Sequence, residues 1–243
     1  MLKRSKQSKR TPTVNVFIAD ASRMNCQLMA TAMSQSRYTL SVVGYATNSK
    51  EIRSGLAEND VHVAVIGAQL REGAMAGFEV AREVRASHPS ANVIMMLDST
   101  DQATVVDAFR SGASGIFSRD ESFELLCKCI HVVHQGQVWA GSKELRFLID
   151  VLAQPPPAQP INSKLARSLT KREKDIVRLV AEGLTNRDIS RQLNLSQHTV
   201  RNYIFRIFNK VGTSNRLELA LYALSREQED EGPEDFGQRN RAS

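Results

Sequence analysis

The sequence predicts an α/β domain followed by a small all-α domain. Between residues 14 and 134, short apolar runs rich in β-branched residues alternate with segments whose apolar residues recur at helical spacing. From residue 169 to 225 the pattern is helical throughout. The proline-rich stretch QPPPAQPINSK, at 154–164, separates the two patterns, because consecutive prolines remove backbone donors and disfavour helix. The repeated strand and helix units imply a parallel sheet covered by helices on both faces.

Five strand and helix pairs account for the first domain, which we place at 14–135. The predicted strands are VNVFIA, LSVVGYA, VHVAVIG, NVIMML and SGIF, which begin at residues 14, 40, 61, 92 and 114. Amphipathic patterns predict helices near 22–36, 49–58, 76–87, 101–111 and 121–134. We assign 136–164 to a further helix and a linker. The helix carries Leu145, Leu148, Ile149 and Leu152 at helical spacing, and Trp139 just before it is expected to pack.

The second domain, at 165–226, is predicted to hold four short helices near 170–182, 185–192, 196–211 and 214–225. Thr185 and Ser196 are expected to cap the second and third of these helices, which gives a helix-turn-helix arrangement. One face of the third helix carries the apolar stripe. The opposite face presents Arg201, Asn202, Phe205, Arg206 and Asn209, most of which suit base edges and phosphates.

Charge and composition narrow the class of protein. The net charge of +6 is concentrated in the first thirteen residues and in 164–226, which favours nucleic acid as a partner of the second domain. We expect 1–13 and the acidic segment 227–243 to be disordered tails; the basic one either adds nonspecific DNA contacts or only solubilises the chain. No signal peptide and no run of eighteen apolar residues is present, so we expect a cytoplasmic protein without a membrane partner. Three cysteines favour buried thiols over a disulfide framework or a metal site.

The stretch 169–223 resembles the LuxR-type helix-turn-helix over nearly its whole length. The matching positions are Leu169, Thr170, Arg172, Glu173, Glu182, Gly183, Asn186, Asp188, Ile189, Thr199, Val200, Arg201, Lys210, Gly212, Asn215 and Arg216. The resemblance implies binding to double-stranded DNA through the third helix of the domain.

The resemblance also assigns roles within this helix. It implies that Arg201 and Asn202 contact base edges, and that Thr199, Arg206 and Lys210 contact phosphates. Ser196 and Gln197 are expected near the DNA backbone at the start of the helix. Thr185 is also expected to be a DNA-binding residue. Phe205 either touches a thymine methyl group or packs. In the last helix, Leu217, Leu221 and Leu224 lie on one side, which is consistent with a dimerisation helix or with ordinary core packing.

Residues 14–150 resemble the receiver domain of response regulators, and the combination of the two domains resembles the NarL/FixJ group. The resemblance implies a receiver-like (βα)5 flavodoxin-like parallel sheet. In such receivers, two acids after the first strand hold a divalent cation and an aspartate at the end of the third strand accepts phosphate. A serine or threonine after the fourth strand and a lysine after the fifth complete the site.

At those positions this chain has a depleted set of residues: Asp20, Ala21, Gly67, Asp98 and Arg119. Without a carboxylate at position 67 no acyl phosphate can form, and one acid is a poor ligand set for Mg²⁺. We therefore predict a degenerate receiver with no metal site and no cofactor. Asp98 and Arg119 either pair across the pocket or remain two separate surface charges. The loop after Gly67 is slightly longer than usual, and Arg71 stands where proline is common.

These observations predict a sequence-specific, DNA-binding transcriptional regulator that acts as a homodimer independently of phosphorylation. Another regulatory protein or RNA polymerase is a further candidate partner. Two alternatives stay open: the receiver senses a ligand or a partner protein, or the chain is a protein-interaction adaptor whose helix-turn-helix is masked. No constellation of catalytic residues supports an enzyme.

Overall fold

The computed structural model describes residues 13–153, 169–213 and 215–230. The chain divides into two compact units, residues 1–155 and 156–243. Residues 1–12 of the predicted basic tail, the linker segment 154–164 and residues 231–243 of the predicted acidic tail lie outside the described residues. Residues 227–230, which were assigned to the acidic tail, continue the last helix instead.

The first unit is a parallel α/β sheet, as the sequence predicts. Its strands are β1 (Val14–Ala19), β2 (Leu40–Ala46), β3 (Val63–Gly67), β4 (Asn92–Leu97) and β5 (Gly115–Ser118), in the order β2-β1-β3-β4-β5. The helices are α1 (Arg23–Ser34), α2 (Ser49–Glu58), α3 (Ala76–Ser87), α4 (Gln102–Arg110), α5 (Phe123–His134) and α6 (Ser142–Ala153). Every residue of the central strand β3 is buried, which explains its uninterrupted apolar run.

The strand register brings the loops of the predicted pocket together. Because all pairings are parallel, the carboxyl ends of β1, β3, β4 and β5 lie along the same edge of the sheet. Gly67 at the end of β3 pairs with Met96, and Leu97 at the end of β4 pairs with Ser118. The residues that follow these strands are therefore close in space although they are distant in sequence.

The segment from Trp139 to helix α6, which the sequence analysis assigns to a further helix before the linker, contacts the first unit. The carbonyl of Trp139 accepts a hydrogen bond from the Ile116 N–H at 2.9 Å, and the Trp139 N–H donates to the Ser114 carbonyl at 3.1 Å. Helix α6 packs against α4 through its buried residue Leu148. Ile149 is 63% exposed, so the apolar stripe of α6 is only partly buried.

The three cysteines are buried free thiols, as predicted. Burial raises the pKa of Cys26 to about 11 and also raises the pKa of Cys127 and Cys129. Because the thiolate is the reactive form, these side chains act as small apolar groups in the core.

The second unit consists of helices α7 (Lys171–Ala181), α8 (Asn186–Gln192), α9 (Gln197–Val211) and α10 (Arg216–Asp230). Thr185 and Ser196 cap α8 and α9 as predicted, and Gly212 ends α9 in the left-handed conformation at φ 76°. The apolar faces of α7 to α10 form a core separate from that of the first unit. No helix in the described ranges is long and apolar enough to cross a membrane.

Candidate functional site

The receiver pocket is built around Asp20, which follows β1 and is only 2% exposed. One carboxylate oxygen accepts hydrogen bonds from the Ser22 N–H at 2.8 Å and from the Asn25 side-chain amide at 3.2 Å. The other accepts from Nη2 of Arg119 at 2.5 Å. Both oxygens therefore have partners, which compensates the cost of burying the charge.

Arg119 connects three strand ends. Its backbone N–H donates to the Leu97 carbonyl at 3.0 Å, which holds the residue beside the end of β4. Its guanidinium contacts Asp20 through Nη2 and lies 3.1 Å from Oδ1 of Asp98 through Nε. Of the two alternatives left open for Asp98 and Arg119, the structure shows the ion pair. It also shows a contact between Arg119 and Asp20, two residues 99 positions apart that the receiver resemblance placed in the same site without predicting that they pair.

The two ion pairs of Arg119 differ in their environment. The side chain of Asp20 is 3% exposed and that of Asp98 is 64% exposed, while the Arg119 side chain is 28% exposed. An exposed pair is screened by water and contributes little, whereas a buried carboxylate depends strongly on its partner. The contact with Asp20 is therefore the principal one.

The space beside Gly67 is occupied by the same guanidinium. A Cβ atom at position 67 would lie 2.8 Å from Nη2 of Arg119 and 3.3 Å from the Gln69 carbonyl oxygen. Any side chain at this position would have to displace Arg119. Because Nη2 also binds Asp20, a shift of the guanidinium would disturb the ion pair with this buried carboxylate.

The residues present do not fit the divalent cation of the receiver family. Such a cation needs several oxygen ligands, but Ala21 supplies no side-chain ligand and the Asp20 carboxylate binds Arg119. Within the part of the chain that the structure describes, no three residues of the His, Cys, Asp and Glu types gather where they could hold a metal ion.

The loop after β4 also uses its polar side chains locally. Asp101 caps α4 and accepts hydrogen bonds from Thr104 and Ser99, which lower the pKa of its carboxyl group to about 2. The hydroxyl groups of Ser99 and Thr104 therefore donate to Asp101 at the start of α4.

Backbone contacts explain two features of the loop after Gly67. A Cβ atom at Gly77 would lie 2.1 Å from the Gly67 carbonyl oxygen, so only glycine permits this approach of α3 to β3. The Arg71 N–H donates to the Thr47 carbonyl at 3.1 Å, a hydrogen bond that proline could not make.

The candidate DNA-binding residues lie mainly on α9, and they differ in their exposure to solvent. Gln197 and Arg206 are exposed, whereas Arg201, Asn202 and Phe205 are half-buried. The cap residue Ser196 is exposed, and Thr199 and Thr185 are half-buried. The Ser196 hydroxyl accepts from the Thr199 N–H at 2.9 Å, and the Thr185 hydroxyl donates to Asp188 at 2.6 Å. Both caps fix the helix starts.

His198 is a surface residue that the sequence analysis did not include. It is exposed on α9, and its Nε2 lies 3.1 Å from the side-chain amide nitrogen of Asn202, one turn further along. The spacing of four residues between them could have indicated this contact. His198 therefore shares the face of the predicted base-contacting residues.

Lys210 does not project freely from α9, contrary to what a phosphate contact suggests. Its Nζ lies 2.8 Å from Oε2 of Glu173, a residue of α7 that is 4% exposed. Glu173 also forms the capping box of α7 with Thr170.

Several other residues of the LuxR-type pattern form hydrogen bonds to other helices of the same unit. Arg172 donates to the Leu193 carbonyl at the end of α8. Arg216 donates to the Leu184 carbonyl and to the side-chain oxygen of Asn186, and its burial lowers its pKa to about 10. These residues fix the helices to one another.

Helix α10 has a buried face and a more exposed one. Leu219 and Ala223 belong to the core of the unit. Leu217 and Leu221 are half-buried, and Leu224 is 48% exposed. Leu217, Leu221 and Leu224, which the sequence analysis selected, are therefore not the residues that supply the main core contacts of this helix.

Known protein families match both units. The profile of the response regulator receiver domain matches residues 16–131, and that of the luxR family of bacterial regulatory proteins matches residues 167–223. The transcriptional regulatory protein LnrK of Bacillus subtilis (strain 168) is 25% identical over 79% of this chain and 89% of its own length. The nitrate/nitrite response regulator protein NarL of Escherichia coli (strain K12) is 29% identical over 75% of this chain and 82% of its own.

Solved structures agree with this fold. RcsB from Salmonella enterica serovar Typhimurium bound to a promoter has a TM-score of 0.51 at 21% identity, covering 87% of this chain and 98% of that one. A LuxR-family response regulator from Aurantimonas sp. SI85-9A1 has a TM-score of 0.52 at 17% identity, covering 59% of this chain and 100% of that one. At these identities the structural likeness establishes the fold alone.

Proposed function

We propose that this chain, whose two units match the receiver-domain profile and the luxR-family profile, is a DNA-binding regulator of transcription that binds inverted DNA half-sites as a dimer without phosphorylation of its receiver. The supporting observation is the position of Arg119, whose guanidinium neutralises Asp20 and fills the space beside Gly67. The pocket thus contains a permanent internal cation where receivers of the family recruit a metal ion and a phosphoryl group.

Recognition of DNA is assigned to α9. Arg201 and Asn202 are proposed to read base edges, because arginine pairs bidentately with guanine and asparagine with adenine. His198 lies against Asn202 and is proposed to orient its amide. The exposed residues Gln197 and Arg206 are proposed to lie at the sugar-phosphate backbone, which makes binding steeply dependent on salt.

Dimer formation is assigned to the outward face of α10. Leu224 is exposed on a helix whose core contacts come from Leu219 and Ala223, so an apolar side is left for a partner. A solved relative of the same fold, RcsB, is described as two dimers bound to two parallel DNAs. A dimer explains why inverted half-sites are expected.

Gating by a small ligand receives less support. A cavity of about 80 Å³ lies beside the pocket, between Thr100, Ser118 and Trp139. Ligand sites usually enclose roughly 300–1,000 Å³, so this cavity is too small for an ordinary metabolite.

Selection of genomic DNA fragments by the untreated full-length protein, at near-physiological salt and with no phosphate donor, tests the proposal. We expect one inverted-repeat motif, recovered equally when a small phosphate donor and Mg²⁺ are added. Recovery of a motif only with the donor, or of no motif in either condition, would contradict it.

A matched pair of variants tests the assignment of Arg201. Arg201→Lys keeps the positive charge but loses the bidentate geometry, so sequence preference should relax while overall affinity changes less. Unchanged half-site choice in this variant would refute Arg201 as a base reader.

A further inference from the structure

We propose that Lys210 is a positioning residue that clamps the recognition helix α9 onto α7, and that it does not contact the DNA backbone. The proposal rests on the DNA binding proposed above. It reverses the role expected for this residue from the sequence.

The clamp joins the last turn of one helix to the first turn of another. Lys210 Nζ lies 2.8 Å from Oε2 of Glu173, which is 37 residues earlier in the chain. The same oxygen accepts from the Thr170 N–H at 2.8 Å and from the Thr170 hydroxyl at 3.1 Å. One carboxylate oxygen thus holds both the cap of α7 and the end of α9.

The environment of Glu173 makes this contact difficult to release. Burial opposes ionisation of Glu173, but hydrogen bonds from Lys210 and Thr170 outweigh this effect and keep its pKa below the usual value. The carboxylate is 4% exposed, so removal of Lys210 would leave a buried charge with only the neutral Thr170 donors. The Lys210 side chain is 34% exposed, and it is a basic residue in the last turn of α9, where positive charge is favourable.

The contact at the carboxyl end of α9 fixes the orientation in which the base-reading face of this helix meets the DNA. Ser196 caps the amino end of the helix, and the clamp holds the carboxyl end against α7. A small displacement of a recognition helix changes all base contacts together, whereas the loss of a phosphate contact weakens every sequence equally.

Four full-length variants separate the two roles: Lys210→Met, Lys210→Arg, Glu173→Gln and the control Arg206→Gln, whose arginine is exposed. We measure affinity for the selected motif and for random DNA as a function of salt, and hydrogen exchange of α7 and α9 without DNA. In Lys210→Met we expect an unchanged salt slope, about a tenfold loss of preference for the motif, and about tenfold faster exchange in the first turn of α7.

The other variants complete the test. Lys210→Arg should keep the preference for the motif that Lys210→Met loses. Glu173→Gln should lose this preference as Lys210→Met does, although Lys210 is still present. Arg206→Gln should reduce the salt slope by about one, as expected for one lost phosphate contact. A salt slope reduced by about one in Lys210→Met, or affinity retained or increased in Glu173→Gln, would overturn the proposal.

The same experiment distinguishes failure of the proposed DNA binding from failure of the clamp. If the unsubstituted protein shows no preference for any motif, DNA recognition itself fails. The exchange measurements then still decide the clamp: unchanged exchange in both Lys210→Met and Glu173→Gln overturns it.

Discussion

A single arginine changes the chemistry of the receiver pocket. Arg119 bonds to a buried carboxylate at Asp20 and to an exposed one at Asp98, and a Cβ atom at position 67 would lie 2.8 Å from its Nη2. Residues 67, 98 and 119, which differ from the family pattern, therefore meet in one arrangement.

The first prediction concerns the unequal strength of the two ion pairs. Arg119→Met should lower the free energy of unfolding of the first unit by about 3 kcal/mol, because it leaves Asp20 buried without its cation. Asp98→Asn should cost less than about 1 kcal/mol, because that pair is exposed. Urea denaturation followed by the fluorescence of Trp139, the one tryptophan in the sequence, measures both. Equal losses in the two variants would show that Asp20 does not depend on Arg119.

The second prediction concerns the missing phosphate acceptor. Gly67→Asp should take up no phosphate from a small donor, because the new carboxylate would meet the Arg119 guanidinium and find no metal ion. The triple variant Ala21→Asp, Gly67→Asp and Arg119→Lys restores the two acids, the phosphate acceptor and the lysine of the family and is the matched comparison. Intact-mass measurement detects the added phosphoryl group. Uptake by the single variant would show that the pocket is otherwise functional.

Individual elements follow the sequence closely, whereas contacts between distant elements do not. The buried run Val63–Gly67 predicts β3, and the caps Thr185 and Ser196 predict the starts of α8 and α9, because these signals are local. The contacts of Asp20 with Arg119 and of Glu173 with Lys210 depend on how strands and helices meet, and no local pattern contains that information. Trp139 is expected to pack, but its backbone hydrogen bonds along β5 could not be predicted for the same reason.

The third prediction concerns the turn between α8 and α9. Asn194 has φ 53°, a left-handed conformation, and it is exposed. Asn194→Ala should destabilise the second unit by about 1 kcal/mol, because alanine tolerates this conformation poorly, whereas Asn194→Gly should be nearly neutral. Hydrogen exchange of α8 and α9 compares the two. Equal protection in both variants would mean that the turn does not depend on this backbone angle.

At the scale of the whole molecule, two units with separate cores combine different functions. The first has a receiver fold whose pocket is closed by an internal ion pair, and the second has the helix-turn-helix of a DNA-binding regulator. DNA binding should depend on the concentration of the protein and on its assembly, because the proposed function assigns no control to phosphorylation.

The fourth prediction therefore concerns assembly. Leu224→Glu introduces a charge on the exposed side of α10 and should prevent dimer formation while the unit stays folded. Leu219→Ala, on the buried side, should cost about 3 kcal/mol of stability through the cavity it creates, with the dimer contact unaffected in the folded fraction. Sedimentation velocity measures the oligomer, and binding to one and to two half-sites measures its consequence. A Leu224→Glu protein that still sediments as a dimer would place the interface elsewhere, because a glutamate buried against its symmetry mate carries a desolvation cost that a dimer through α10 could not avoid.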